Sequence, residues 1–451
     1  MDEVVKSQRS VLNRMRSIVE DAEFVEEDAN VYNKPLVPNL RGGLWYAKPH
    51  LREYNAYFKS TDGHTGQCTF SLKRLNLHLL PVLEEKKALL FVDSTRRGKR
   101  IPDSFSKTVP IWCAVINYAV FNKLEIYFPP NLVAPSEMSL ITEKVPTWAG
   151  QFKALMGDDL PKLTKMLRPM FVFPETLLPQ ALEPNEPVFE DYHALILLTA
   201  SKPVQDGSDR ERGFTYVQGA GDDHEVWAPK GFDADTLWQL DSTVLSSLSS
   251  ESECLQLITA AVQNRPQNYS QSISSSSQGS ANYLKLSEYL FISPIVISSE
   301  QLISQGQNAS PFSIDIRANT ESNNNNADAD ADATAGTDTD SSTEYKFSLS
   351  TGKKGSRELA QKLPQICTYF ESKYRFDQPV CIVYTDIQLA VALALLLDCK
   401  YFNFDVNGQL SPPVKYVSKE TVQKRAVKVY ANAGTAPNRI TANVVGNYLR
   451  K

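Results

Sequence analysis

Long apolar runs are missing from this 451-residue chain. The longest near its C-terminus, residues 389–397, spans nine residues against the roughly twenty that a membrane-crossing helix needs. A soluble protein with no membrane partner is the expectation. Cysteine is scarce and scattered. The six lie far apart with no C-x-x-C pair, which indicates neither a disulfide framework nor a zinc site. That usage fits a reducing compartment, the cytoplasm or the nucleus. The first residues, Met1-Asp2-Glu3-Val4-Val5-Lys6, carry acids and no apolar core, so they do not read as a secretory signal. No G-x-x-x-x-G-K-S/T sequence is present, which sets aside the phosphate loop of ATPases. Nor is there an internal repeat. What remains is a composition with 42% hydrophobic and 22% charged residues, that of a globular protein of two or three domains.

The formal net charge of -5 conceals an uneven distribution. Residues 41–110 hold 13 Lys/Arg against 6 Asp/Glu, and residues 346–451 hold 16 against 7. Residues 318–344 hold seven acids and no base. Two basic segments around an acidic spacer suggest a polyanionic ligand, nucleic acid among them, although basic stretches are often only solvated faces.

Val5, Val11, Leu12, Met15, Ile18 and Val19 repeat like one face of a helix over residues 4–24. Residues 88–92, Ala-Leu-Leu-Phe-Val, read as a buried strand, and residues 106–120 as a helix with Pro110 in its first turn. Further strands are expected over 170–173, 194–198, 214–217 and 291–297. Strands alternating with helices make this an α/β protein. Residues 270–279, nearly all Ser and Gln, and residues 321–343, with four consecutive Asn and an Ala-Asp repeat, bury too little apolar surface to carry a core. The expected organisation is an N-terminal α/β domain over 1–310, an acidic linker over 311–343 and a C-terminal α/β domain over 344–451. In the last, helices are expected over 359–370, 387–399, 418–430 and 440–449, and a strand over 380–384.

The densest motif is Asp93-Ser94-Thr95-Arg96-Arg97-Gly98-Lys99-Arg100, between the strand at 88–92 and the helix at 106–120. Guanidinium forks bind phosphate oxygens bidentately, lysine adds a point charge, and a helix N-terminus supplies amides, so the layout suits a pyrophosphate. A second cluster, Lys59-Ser60-Thr61-Asp62-Gly63-His64, reads either as a plain turn or as a place where Asp62 or His64 handles a proton or Asp62 holds a metal or sugar hydroxyls. The third, Gly219-Ala220-Gly221-Asp222-Asp223-His224, reads either as a surface turn or as a loop whose carboxylates and histidine hold Mg²⁺.

Six blocks together resemble the initiator-tRNA 2′-O-ribosylphosphate transferases of fungi and plants. They are FKSTDGH (58–64), FSLKRLNLHLL (70–80), VDSTRRGKRIPDSFSKTVPIWCAV (92–115), YVQGAGDDHEVW (216–227), GKKGSRELAQKLP (352–364) and PNRITANVVGNYL (437–449). The resemblance implies a pentosyltransferase with phosphoribosyl pyrophosphate as donor. The implied acceptor is the 2′-hydroxyl of adenosine 64 of cytoplasmic initiator methionine tRNA, the mark keeping that tRNA out of elongation. It also implies a C-terminal domain like the dual-specificity phosphatases. There Cys381-Ile382-Val383-Tyr384-Thr385-Asp386 stands where a catalytic loop would be, but position 387 is Ile and no Arg occurs between Arg375 and Arg425. Phosphatase chemistry is therefore not expected, and Asp386 reads as a helix cap. On this reading Arg96, Arg97, Lys99 and Arg100, with Lys59, Ser94 and Thr95 beside them, hold the donor phosphates. Asp93 holds ribose hydroxyls or Mg²⁺. The rivals are a non-catalytic tRNA-binding protein and a phosphatase.

Overall fold

The computed structural model describes residues 9–59, 68–72, 74–96, 98–177, 179–184, 186–205, 208–211, 213–222, 224–240, 248, 250–263, 284–287, 290–293, 312–318, 344–350, 352–374, 379–403 and 412–450. The chain divides into two compact units, the first ending and the second beginning around residues 267–277.

The first unit opens with helix α1 (Val11–Tyr32), whose Val11, Leu12, Met15, Ile18, Ala22, Val25, Ala29 and Tyr32 form one buried stripe. The helix runs past the residue 24 expected, because the stripe continues to Tyr32, after which Asn33 ends it in a left-handed conformation. Its start is fixed by Ser10, whose side chain accepts from the Asn13 amide at 3.2 Å. Glu251, distant in sequence, accepts from Ser10 Oγ at 2.6 Å and from the Val11 amide at 2.7 Å. A carboxylate at a helix N-terminus satisfies free amides and opposes the dipole.

Four parallel strands follow: β1 (Leu36–Pro38), β2 (Ala88–Asp93), β3 (Met166–Val172) and β4 (Tyr192–Thr199), in the order β1-β2-β4-β3. Helices α2 (Leu79–Lys86), α3 (Val109–Phe121) and α4 (Pro135–Met156) lie between them in sequence. All six residues of β2 are buried, as a central strand covered on both faces requires. Leu90, Val92, Ile196 and Leu198 share a core with α1. The alternate residue Phe91 meets Phe58 edge-on, and Phe58 in turn meets Trp112 of α3. The helix expected from residue 106 begins at Val109 instead. Pro110 has no amide to return to Ser106, and Ser104–Thr108 form a wider turn in which Val109 donates to the Ser104 carbonyl. A hairpin of β5 (Ser208–Glu211) and β6 (Phe214–Val217), then α5 (Ala234–Gln239) and α6 (Glu251–Gln263), complete the unit.

In the second unit a five-stranded sheet runs β10-β9-β11-β8-β7. Its strands are β7 (Leu284–Lys285), β8 (Leu290–Ser293), β9 (Phe312–Ala318), β10 (Glu344–Leu349) and β11 (Val380–Tyr384), with only β7 antiparallel. Helices α7 (Gly352–Lys373), α8 (Ile387–Tyr401), α9 (Lys419–Ala433) and α10 (Arg439–Tyr448) accompany it. The boundaries expected at 310 and 343 are corrected here. β7, β8 and β9 precede the acidic stretch yet pair within the C-terminal sheet, so the spacer interrupts the second unit rather than separating two domains. The α/β class stands in both units.

Candidate active site

The carboxyl ends of β1, β2 and β4 carry the candidate site, at the edge where open parallel sheets bind ligands. β2 ends on Asp93, only 3% exposed. Its Oδ2 accepts from Asn39 Nδ2 at 2.7 Å and from Ser104 Oγ at 2.5 Å, and its Oδ1 from the Ser94 amide at 2.9 Å. Asn39 stands one residue past β1, and Ser104 opens the wide turn before α3. Ser94 Oγ donates to Asp222 Oδ1 at 2.8 Å, which brings the loop after β6 onto the end of β2.

Two buried acids thus share one corner. Burial, and next the charge of Asp93, push the Asp222 carboxyl up to about 7 against the pull of Ser94, Arg41 and Arg96. Burial also raises Asp93, opposed by Ser104, Asn39, the Ser94 amide and Arg41. Glycine is required where the backbone touches this pair: a Cβ on Gly42 would stand 2.7 Å from Asp222 Oδ1 and 3.1 Å from Asp93 Oδ1.

The basic loop is pinned from behind. Gln218, 2% exposed, accepts through Oε1 from the amides of Gly98 at 2.8 Å and Val204 at 2.9 Å. Its Nε2 donates to the Lys99 carbonyl at 2.7 Å. Ser201 Oγ donates to the Thr95 carbonyl at 2.8 Å and accepts from the Thr95 amide at 3.2 Å. The amides of Ser94, Thr95 and Gly98 are therefore taken within the protein, and an anion here would be held by side chains.

Of the four cations expected to act as one group, the three that are described diverge. Arg96 acts on Asp222, whereas Lys99 pairs with Asp103 at 3.2 Å. Arg100 lies 4.7 Å over the Phe173 ring and 3.6 Å from Glu175. Arg97 lies outside the described residues, as do Asp62, His64 and Asp223 and the side chain of His224. Lys59 is placed by its carbonyl, which accepts from Thr108 Oγ1 at 2.7 Å. Gly219, at φ +65°, lets the loop approach the Thr95 carbonyl, and the Gly221 amide donates to Tyr46 Oη at 2.9 Å. The site therefore joins the first and third motifs through Ser94 and Gln218. Sequence reading passed over Asn39, Arg41, Gly42 and Ser201, and it included Ser104 and Gln218 in the motifs without giving either a role. Asn39-Leu40-Arg41-Gly42-Gly43, a basic glycine pair just past a strand, was the available signal.

Among the described residues no group of three or more His, Cys, Asp or Glu is placed to hold a metal ion. Mg²⁺ usually needs less, one or two carboxylates plus substrate phosphates. The buried pair Asp93 and Asp222, with proton affinity raised by burial and, for Asp222, next by the charge of Asp93, fits that donor set.

In the second unit, the β11–α8 turn has the layout of a phosphatase loop without its chemistry. Asp386 caps α8, accepting from the Gln388 amide at 2.9 Å, so the turn carries its own anion. Cys381 is buried, and burial pushes its thiol up to about 12, too high for a nucleophile. No helix among the described residues is long and apolar enough to cross a membrane.

Two family models match the chain: the Rit1 N-terminal domain over residues 4–263 and the Rit1 DUSP-like domain over residues 343–449. A Saccharomyces cerevisiae protein named tRNA A64-2′-O-ribosylphosphate transferase is 32% identical, over 99% of this chain and 93% of its own length. An uncharacterized Schizosaccharomyces pombe protein is 33% identical over 97% of this chain and 93% of its own. No solved structure matches. With both domains matched and full-length similarity to a named enzyme, the chain belongs to the Rit1 family of tRNA ribosylphosphate transferases.

Proposed function

We propose that this protein transfers a phosphoribosyl group from phosphoribosyl pyrophosphate to the 2′-hydroxyl of adenosine 64 of cytoplasmic initiator methionine tRNA. The observation that carries the reading is the corner where Asp93, Asp222, Arg41 and Arg96 meet at the carboxyl edge of the sheet. A donor with a diphosphate and ribose hydroxyls needs both signs of charge in one place. Arg96, with Arg97 next in sequence, grips the diphosphate, and Arg41, whose charge also acts on both acids, adds a second guanidinium. Lys99 and Arg100, tied to Asp103 and Glu175, shape the rim.

In the reaction the bond from ribose C1 to the pyrophosphate oxygen breaks, and a bond from C1 to the tRNA 2′-oxygen forms. Pyrophosphate takes the electron pair. The arginines hold the charge that grows on it, and a site closed to water strengthens that hold. Mg²⁺, if held by Asp93 and Asp222, supplies further neutralisation of the leaving pyrophosphate. The hydroxyl proton passes to a base, for which Asp62, with His64 as its competitor, is proposed from the motif that follows Lys59. Marking initiator tRNA in the cytoplasm in this way would keep it from elongation.

The test is direct. Purified protein, Mg²⁺, donor labelled in the ribose and initiator tRNA are incubated, and the labelled nucleotide is mapped. Label confined to adenosine 64, with elongator methionine tRNA unmodified, is expected. No label on either tRNA would refute the transfer, and equal label on both would refute the specificity.

A further inference from the structure

Arg74 and Tyr57 form a stacked pair that the transfer chemistry does not use. The Arg74 guanidinium carbon sits 3.6 Å from the centre of the Tyr57 ring, contact distance for a cation over an aromatic face. Both side chains are partly exposed. Among the described residues no carboxylate, carbonyl or hydroxyl accepts from this guanidinium, in contrast to Lys107 beside Glu137 or Lys202 beside Glu20. The stack orients the planar fork while its N–H groups stay uncommitted.

The pair is also built to be rigid. Asn76 Oδ1 accepts from the Tyr57 amide at 3.0 Å, and Asn76 Nδ2 donates to the Tyr57 carbonyl at 3.2 Å. Buried Trp112 donates its ring N–H to the Leu75 carbonyl at 2.6 Å. The two segments bearing Tyr57 and Arg74 are thus locked together and to α3. A rigid link also runs to the reaction centre. Phe58, next in chain to Tyr57, donates its amide to Asn39 Oδ1 at 2.9 Å, and Asn39 Nδ2 donates both to Phe58's carbonyl and to Asp93.

From this geometry we propose that Arg74, held over the ring of Tyr57, binds a backbone phosphate of the acceptor RNA and so sets where the reacting ribose lies relative to Asp93. A fixed guanidinium fork with open donors suits a phosphate, and phosphate contacts supply register rather than sequence. The pair is a positioning element and takes no part in bond making. The inference rests on the proposed function for the identity of the RNA, but not for the binding itself.

The experiment compares the full-length wild type with Arg74→Ala, Tyr57→Leu and Tyr57→Phe. It measures initiator-tRNA affinity against salt by filter binding, separate KM values for tRNA and donor, and melting temperature. Arg74→Ala should weaken tRNA binding about ten-fold or more and lower the slope of log affinity against log salt by about one, with donor KM unchanged. Tyr57→Phe keeps the ring and should bind like wild type, while Tyr57→Leu should follow Arg74→Ala. Unchanged tRNA affinity and salt slope in a folded Arg74→Ala protein would overturn the inference, even if transfer proceeds normally. So would a rise in donor KM alone. Conversely, a wild type that binds tRNA through Arg74 but transfers no label would leave this inference standing and remove the function proposed above.

Discussion

Gln218→Met is the most informative single change to the donor loop. Methionine is close to glutamine in length and volume, though unbranched, so packing is largely conserved while three hydrogen bonds vanish: those to the Gly98 and Val204 amides and the Lys99 carbonyl. An unsatisfied buried group costs about 1–3 kcal/mol, so three would cost about 3–9 kcal/mol if all stayed dry. They do not all stay dry. Gly98 and Lys99 are exposed, so water reaches their freed groups once the loop lifts, leaving Val204 as the main loss. The net cost is therefore about 1–3 kcal/mol, that of a single group, and falls on the loop rather than on the whole unit. At 1.4 kcal/mol per decade, the share spent on holding Arg96 in place should raise donor KM by about ten-fold or more. The assay is steady-state transfer together with hydrogen exchange at the Gly98 and Val204 amides. Faster exchange at both, higher donor KM and nearly unchanged tRNA KM are expected. If both amides exchange as in wild type and donor KM is unmoved, Gln218 is not the pin described here.

Asp28 on α1 is buried without a partner for either carboxylate oxygen, and burial, then Glu27, push its carboxyl up to about 7. The folded chain therefore keeps a proton that the unfolded chain has lost, so stability falls as pH rises from about 4 to about 7 and the cost is complete above that. Asp28→Asn should raise the melting temperature by a few degrees at pH 8 and by little at pH 4; an equal shift at both pH values would refute this cause. Asp222 must lose its proton to face Mg²⁺, so the transfer rate should rise with pH through about 7, and higher Mg²⁺ should move that midpoint down. A midpoint indifferent to Mg²⁺ would show that Asp222 does not hold the ion.

Long, strongly patterned segments were legible before any coordinates. The strand at 380–384 matches β11 residue for residue, and 387–399 lies inside α8, because a continuous apolar run fits only a buried element. α4 was harder because its internal Pro146 reads as a break that packing tolerates, whereas the helix expected over 359–370 crosses Pro364 and falls short of α7 only at its ends. β9 was lost to its surroundings: seven residues beside an acidic, asparagine-rich stretch look like linker until their partner β11 is known. The site divides in the same way. Asp93 and the basic loop stand out because unlike charges crowd one short segment. Asn39, Ser104 and Gln218 are ordinary polar residues whose roles depend on a contact across 54, 11 and 120 positions respectively. Even Arg41, a visible cation, gained meaning only when Asp93 and Asp222 turned out to face it.

The cap that Glu251 places on α1 sets an order of events during synthesis. The Val11 amide and its acceptor are 240 residues apart, so α1, near the N-terminus, waits for the last described helix of its unit before its N-terminus is satisfied. At roughly 5–20 residues per second, that wait lasts about ten to fifty seconds. Meanwhile the apolar stripe from Val11 to Tyr32 has neither its cap nor much of the sheet it packs against. The nascent chain thus spends its early life with an adhesive helix exposed, which makes it a natural client for chaperones. A message that stops before residue 251 would yield a product that stays in that condition.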